Sequence, residues 1–264
     1  MSESENTSPP PQAPPPRAGG RGTAVLVGAG ILAVLAKLKG GLVLLKGLKF
    51  GKLLLTMGSM FAMVWFEAVR NGWAFGVGFV LLILVHELGH GLAIKRAGLE
   101  AGYPVFIPFF GAFISLKGQP RSALVEAEIA IAGPIAGTVA SLACAGVYFA
   151  THARLWLALA YMGFFLNLFN LTPLSPLDGG RVAALFSRRA WIIGAVVVGG
   201  MFLLTQTPQL LLIGLMSLLH RPAPVEHLEE VPAAARRNMA AHYFGLCAFL
   251  AIGTYLARQL LGAH

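Results

Sequence analysis

Leu81-Leu82-Ile83-Leu84-Val85-His86-Glu87-Leu88-Gly89-His90-Gly91-Leu92-Ala93-Ile94 is an apolar run with three ionisable side chains inside five positions. With the apolar residues before it, from Trp73, it is long enough to cross a bilayer as a helix. Each ionisable group at bilayer depth costs about 2.5–3.5 kcal/mol or more unless it is paired, hydrated or metal-bound. Three so close together are hard to explain as packing. Residues four apart on a helix are about 400° apart, so His86 and His90 share one face about 6 Å from each other. Two imidazoles placed in this way can grip one zinc ion, with Glu87 beside them to take a proton from a metal-bound water.

The rest of the composition agrees with a membrane setting. Of 264 residues, 56% are hydrophobic and only 12% charged, and the mean hydropathy is +0.72. A soluble domain is excluded on these values. The formal net charge of +9 is read as topology and not as nucleic-acid binding, because cytoplasmic loops of membrane proteins collect Lys and Arg. Cys144 and Cys247 both lie in apolar runs and are expected as buried free thiols. Asp178 is the sole aspartate in the chain.

Residues 1–22 are rich in Pro, Ser and Gly and are expected to be a disordered tail, with no signal-peptide pattern. Residues 23–52 combine a short apolar stretch with Lys37, Lys39, Lys46, Lys49 and Lys52, which reads as an interfacial basic segment. Residues 53–190 form the core, with spans expected at Leu53–Val69, Trp73–Ile94, Ala123–Ala150 and Leu155–Leu171. In the first of these, Glu67 is placed to pair with Arg70. Between the second and third, residues 101–118 carry two prolines and three glycines among β-favouring side chains, so a short hairpin or re-entrant strand is expected there. Non-helical backbone at that depth must line a wet cavity or be buried in protein, which puts it next to the site. Gly133-Pro134 and Gly137 form a small-residue patch that allows a kink and close helix contact. After the fourth span, Pro173, Pro176, Gly179 and Gly180 put Asp178 on an irregular turn. Residues 191–264 hold further apolar runs, Ala190–Thr205, Gln209–Leu219 and Met239–Leu261, with a polar loop at 221–237. The fold class is therefore an all-α polytopic membrane protein of six to seven transmembrane helices, with a short membrane-embedded β-hairpin near the active site.

Charge gives an orientation. With the basic segment cytoplasmic, seventeen Lys and Arg fall inside and three, Arg70, Arg154 and Arg258, fall outside. The second span then runs inward, with His90 about 7 Å and His86 about 13 Å below the cytoplasmic boundary. The fourth span also runs inward, so Asp178 falls on the same membrane side as the two histidines.

His86-Glu87-Leu-Gly-His90, Gly133-Pro134 and Asn170-x-x-Pro173…Leu177-Asp178-Gly179-Gly180 together resemble the site-2 protease family of intramembrane zinc metalloproteases. The likeness covers roughly residues 50–190. It implies one zinc ion per chain held by His86, His90 and Asp178, with Glu87 as catalytic base and a zinc-bound water as nucleophile. It implies that Asn170 steadies the substrate carbonyl. It also implies that the 105–115 stretch, including Phe109, Gly111 and Phe113, presents an edge strand to an unwound substrate. The implied partners are a transmembrane protein substrate and the lipid bilayer of the cell membrane, with no nucleic acid. Many members carry an Asn shortly after the Gly-Pro pair, where this chain has Gly137. Residues 91–169 are already filled by a hairpin and two spans, so no inserted PDZ domain is expected. Two readings compete. One is a different zinc protease using Glu226, Glu229 or Glu230, which a polar-loop setting disfavours. The other is a non-proteolytic metal-binding membrane protein, either an inactive relative or a transporter.

Overall fold

The computed structural model describes residues 51–107, 111–118, 120–186, 189–205, 214, 215, 217 and 231–262. The Pro-rich tail, the 23–52 segment up to Phe50, Phe109, the glutamates at 226, 229 and 230, and most of the 209–219 run lie outside the described residues. In chain order the elements are helices α1 (Gly51–Asn71) and α2 (Trp73–Arg96), strands β1 (Glu100–Ile107) and β2 (Gly111–Lys117), then helices α3 (Ala123–Thr151), α4 (Arg154–Asn170), α5 (Asp178–Ala183), α6 (Arg189–Thr205) and α7 (Ala233–Gly262).

Among the described residues four helices are long and apolar enough to cross a membrane: Leu53–Asn71, α2, α3 and α7. The expectation of six to seven spans is therefore larger than what these residues supply. Helix α4 has 17 residues. At 1.5 Å per residue that is about 26 Å, short of a hydrocarbon core of about 30 Å. Helix α4 stops where it does because Thr172 precedes Pro173, and a residue before proline avoids the helical conformation. Two local expectations are corrected. Helix α7 begins at Ala233 and not near Met239, since Ala233–Ala235 are strong helix formers placed directly after Pro232. Glu67 accepts a hydrogen bond from Asn71 Nδ2 at 3.0 Å, and Arg70 lies over the Phe66 ring at 5.4 Å.

Helix α2 is the centre of the bundle. It is apolar on every face, and it buries Val80, Ile83 and Ile94 against α3, α4 and the hairpin. Small residues set the approach of α2 to α3. A Cβ on Gly89 would stand 2.6 Å from the Ala132 carbonyl oxygen, so the two helices meet backbone to backbone. Helix α3 starts at Ser122, whose hydroxyl accepts from Val125 N at 3.3 Å.

Strands β1 and β2 form a two-stranded antiparallel sheet, with Pro104 opposite Ile114 and Val105 opposite Phe113. The hairpin expected at 101–118 is present. Its outer β1 edge is bound to α1: Thr56 Oγ1 donates to the Pro104 carbonyl at 2.7 Å, and Phe106 N donates to Ser59 Oγ at 3.1 Å. Backbone groups two residues apart on a strand point the same way, so both belong to the edge facing away from β2. That also explains Pro104, whose missing N–H is not needed by the ladder.

Candidate metal centre

The site begins with the ring orientations of two histidines. His86 is 3% and His90 4% exposed. His90 Nδ1 lies 2.8 Å from the carbonyl oxygen of Ile129 on α3. A carbonyl can only accept, so this nitrogen carries a proton, and in the neutral ring Nε2 keeps its lone pair. His86 Nδ1 lies 2.8 Å from Asn167 Oδ1 on α4, with the same consequence. The two Nε2 atoms are 3.1 Å apart. Space for His90 comes from Gly133, where a Cβ would stand 2.2 Å from His90 Nε2. The following Pro134 lies inside α3 and removes one helix hydrogen bond at that level.

The third donor comes from the turn after α4. Asp178 opens α5, and its Oδ2 lies 3.2 Å from both His86 Nε2 and His90 Nε2. Two glycines place it. A Cβ on Gly179 would stand 2.0 Å from the Leu171 carbonyl oxygen, and one on Gly180 would stand 2.7 Å from Ser175 N. The α5 backbone therefore rests directly on the Leu171–Ser175 backbone, which no larger residue permits. Arg181, one turn on, reaches Glu126 of α3 with Nε–Oε1 3.3 Å, tying α5 to the start of α3. With both rings neutral, two bare imidazole nitrogens and a carboxylate oxygen converge here, with no proton between the two nitrogens. Three lone-pair donors at this spacing repel unless a cation sits between them. His86, His90 and Asp178 form the group that could hold a metal ion among the described residues.

Glu87 is 4% exposed and stands beside these donors. Its carboxylate meets the backbone N–H of Ile114 on β2, and Oε2 has no hydrogen-bond partner among the described residues. Ile114 lies opposite Pro104, so its N–H points to the outer edge of β2. The free edge of the sheet therefore faces Glu87, and the Ile114 side chain closes over α2 near Gly91.

Residues 74–153 match the sequence model of Peptidase family M50. A protein named as a zinc metalloprotease, Rip3, in two strains of Mycobacterium tuberculosis is 33% identical over 124 residues, 42% of this chain and 31% of the relative. A zinc metalloprotease of Methanocaldococcus jannaschii is 27% identical over 159 residues, 57% of this chain and 46% of the relative. The stretch that carries His86, Glu87, His90 and Gly133-Pro134 is thus the part of the chain that is similar to Peptidase family M50. A solved site-2 protease from M. jannaschii covers 60% of this chain and 81% of its own at 23% identity, with a TM-score of 0.42. The chain spans less than half the length of the curated relatives it matches.

His86, Glu87, His90 and Asp178 come together in one place from α2 and α5. Asn170 lies at the C-terminal end of α4 and is half-buried. Gly111 opens β2 opposite Ile107, and Phe113 is exposed opposite Val105. Sequence reasoning passed over Asn167, which is 2% exposed and bonded to His86. The available signal was cost: an amide inside an apolar helix needs a partner, and Asn167 sits one helical turn before the residue chosen from the motif. Glu126–Arg181 was also passed over, because its partners are 55 residues apart in sequence.

Proposed function

We propose that this chain is an intramembrane zinc metalloprotease that hydrolyses a peptide bond within a transmembrane helix of another membrane protein. The observation that carries the reading is the convergence of His86 Nε2, His90 Nε2 and Asp178 Oδ2 next to a buried carboxylate, Glu87. Ligands 2.0–2.2 Å from a tetrahedral zinc stand about 3.4 Å from one another. The donor separations of 3.1–3.2 Å fit that set. Three protein ligands leave a fourth position open, as in catalytic and not structural sites. Bound there, zinc supplies an activated water nucleophile and polarises the scissile carbonyl.

The chain's own residues do the rest. Glu87 Oε2, free of other partners, accepts the proton of the attacking water and returns it to the leaving amide nitrogen. The Ile114 N–H holds the carboxylate in place meanwhile. A substrate helix hides its carbonyls in its own hydrogen bonds, so it must unwind to be cut. Strand addition to the hairpin would compensate the freed backbone groups. The β1 edge is bound to Thr56 and Ser59, which leaves β2, with Gly111 and Phe113, as the receiving edge; Phe109 is assigned to the same surface by resemblance. Asn170 is assigned to the substrate carbonyl on the same ground. The charge split supports a multi-pass protein of the cell membrane with the site near the cytoplasmic face.

The test is cleavage of a helical membrane substrate by purified protein, with zinc measured on the same samples. Glu87→Gln keeps its zinc and loses activity by about 10²-fold or more, the scale of a lost general base. Asp178→Asn loses activity together with zinc. Wild-type hydrolysis by Glu87→Gln would sink the catalytic assignment. Full zinc without cleavage of any helical substrate by the wild type would favour a non-proteolytic metal protein.

A further inference from the structure

Asn167 is a buried polar group that the reading above leaves without a function. It is 2% exposed and lies on α4, which supplies none of the three donors. Its amide is oriented by its neighbours. Nδ2 donates to the Gly163 carbonyl at 2.7 Å, which can only accept. Oδ1 must therefore be the atom facing His86, and His86 must donate to it from Nδ1 at 2.8 Å. A hydrogen bond of this kind fixes both the tautomer and the tilt of an imidazole.

The opposite wall is Gly137 on α3. A Cβ there would stand 2.2 Å from Asn167 Oδ1 and 2.5 Å from Nδ2. No side chain at 137 coexists with the amide in its present position. The amide is thus held on three sides: by Gly163 of its own helix, by the missing side chain at 137, and by the ring it serves. Helix α4 contributes none of the three donor atoms, yet through Asn167 it decides which nitrogen of His86 is bare.

We propose that Asn167 is a positioning residue that holds His86 as its Nδ1-protonated tautomer, with Nε2 aimed at the donor cluster, and that Gly137 is required for it. This rests on the metal-site reading above. Two measurements separate the two claims. In metal-free protein labelled with ¹⁵N-histidine, NMR at alkaline pH reports the His86 tautomer directly, with or without a metal site. Chelator competition reports the zinc dissociation constant.

The wild type is expected to show the Nδ1–H form of His86. Asn167→Leu, which keeps the volume but has no acceptor, is expected to give a mixture of tautomers and to weaken zinc about 10–100-fold. Asn167→Asp keeps an acceptor for Nδ1–H and is expected to restore the tautomer and most of the affinity. Gly137→Ala displaces the amide and is expected to resemble Asn167→Leu, with little added loss in the double variant. If Asn167→Leu kept the wild-type tautomer and bound zinc within about twofold of wild type, well under the range expected for such a partner, Asn167 would be a packing residue and the proposal would fall. A wild type that takes up no zinc overturns the metal-site reading instead, and the His86 tautomer still decides for or against Asn167.

Discussion

At the scale of single residues, the glycines around the cluster act as much as the donors do. Gly133 leaves the volume in which the His90 ring sits; a methyl group there would stand 2.2 Å from Nε2, the atom that must stay free. The ring cannot retreat easily, because Nδ1 is bonded to Ile129 and Nε2 lies 3.2 Å from Asp178 Oδ2. Nor can the backbone of α3 yield, since it meets α2 directly at Gly89. Gly133→Ala is therefore expected to insert normally but to lose zinc and activity together, with destabilisation of about 1–3 kcal/mol from overpacking. Zinc analysis of the detergent-purified variant beside its cleavage rate checks this. Gly146→Ala is the matched control, because a Cβ there meets nothing within 4 Å and both values should stay at wild type. A Gly133→Ala protein with full zinc would mean that the ring has room to move.

At the scale of elements, the hairpin has two unlike edges. The β1 edge is bound to hydroxyls of α1, and the β2 edge faces Glu87. Ala112, Ile114 and Leu116 have outward N–H groups, as follows from the register Phe106–Ala112 and Pro104–Ile114. Proline at an outward position removes an edge donor and leaves the ladder intact. Ala112→Pro should keep zinc and lower kcat/KM by about tenfold, the worth of one hydrogen bond at roughly 1–1.5 kcal/mol. Cleavage of a short unstructured peptide at saturating concentration should change less. Equal kcat/KM for wild type and variant on a helical substrate would take β2 out of substrate binding. The hairpin itself was legible in the sequence because two prolines, three glycines and a β-favouring run exclude a helix. Which edge is free was not legible. That depends on Thr56 and Ser59, which lie 48 and 47 residues from their partners and look like ordinary helix hydroxyls.

At the scale of the whole molecule, the same division holds. The donors were legible because ionisable groups at membrane depth are costly and Asp178 has no competitor of its kind. The groups that aim them were not, because Asn167, Gly137, Gly163 and Tyr243 become neighbours of the site only when α3, α4 and α7 pack. Helix α7 is the clearest case, since no motif in it points to the site. It runs antiparallel to α4 and is fastened at both ends. Arg154 Nη2 at the start of α4 donates to the Leu261 carbonyl at 2.9 Å, and Tyr243 Oη donates to the Leu171 carbonyl just past the end of α4. Between them a Cβ on Gly253 would stand 3.2 Å from the Phe164 ring, so the ring packs close to the α7 backbone. The two ends differ in what they touch. Leu171 backs directly onto Gly179, so Tyr243 braces the turn that carries Asp178, whereas Arg154 lies at the other end of α4. Tyr243→Phe and Arg154→Met should each cost about 1 kcal/mol, the net worth of one hydrogen bond, seen as a lowered thermal midpoint in detergent. Only Tyr243→Phe should also speed the loss of zinc to a chelator, because only it loosens the backbone under Asp178. Equal zinc retention in the two variants would show that α7 holds the bundle together without bracing the site.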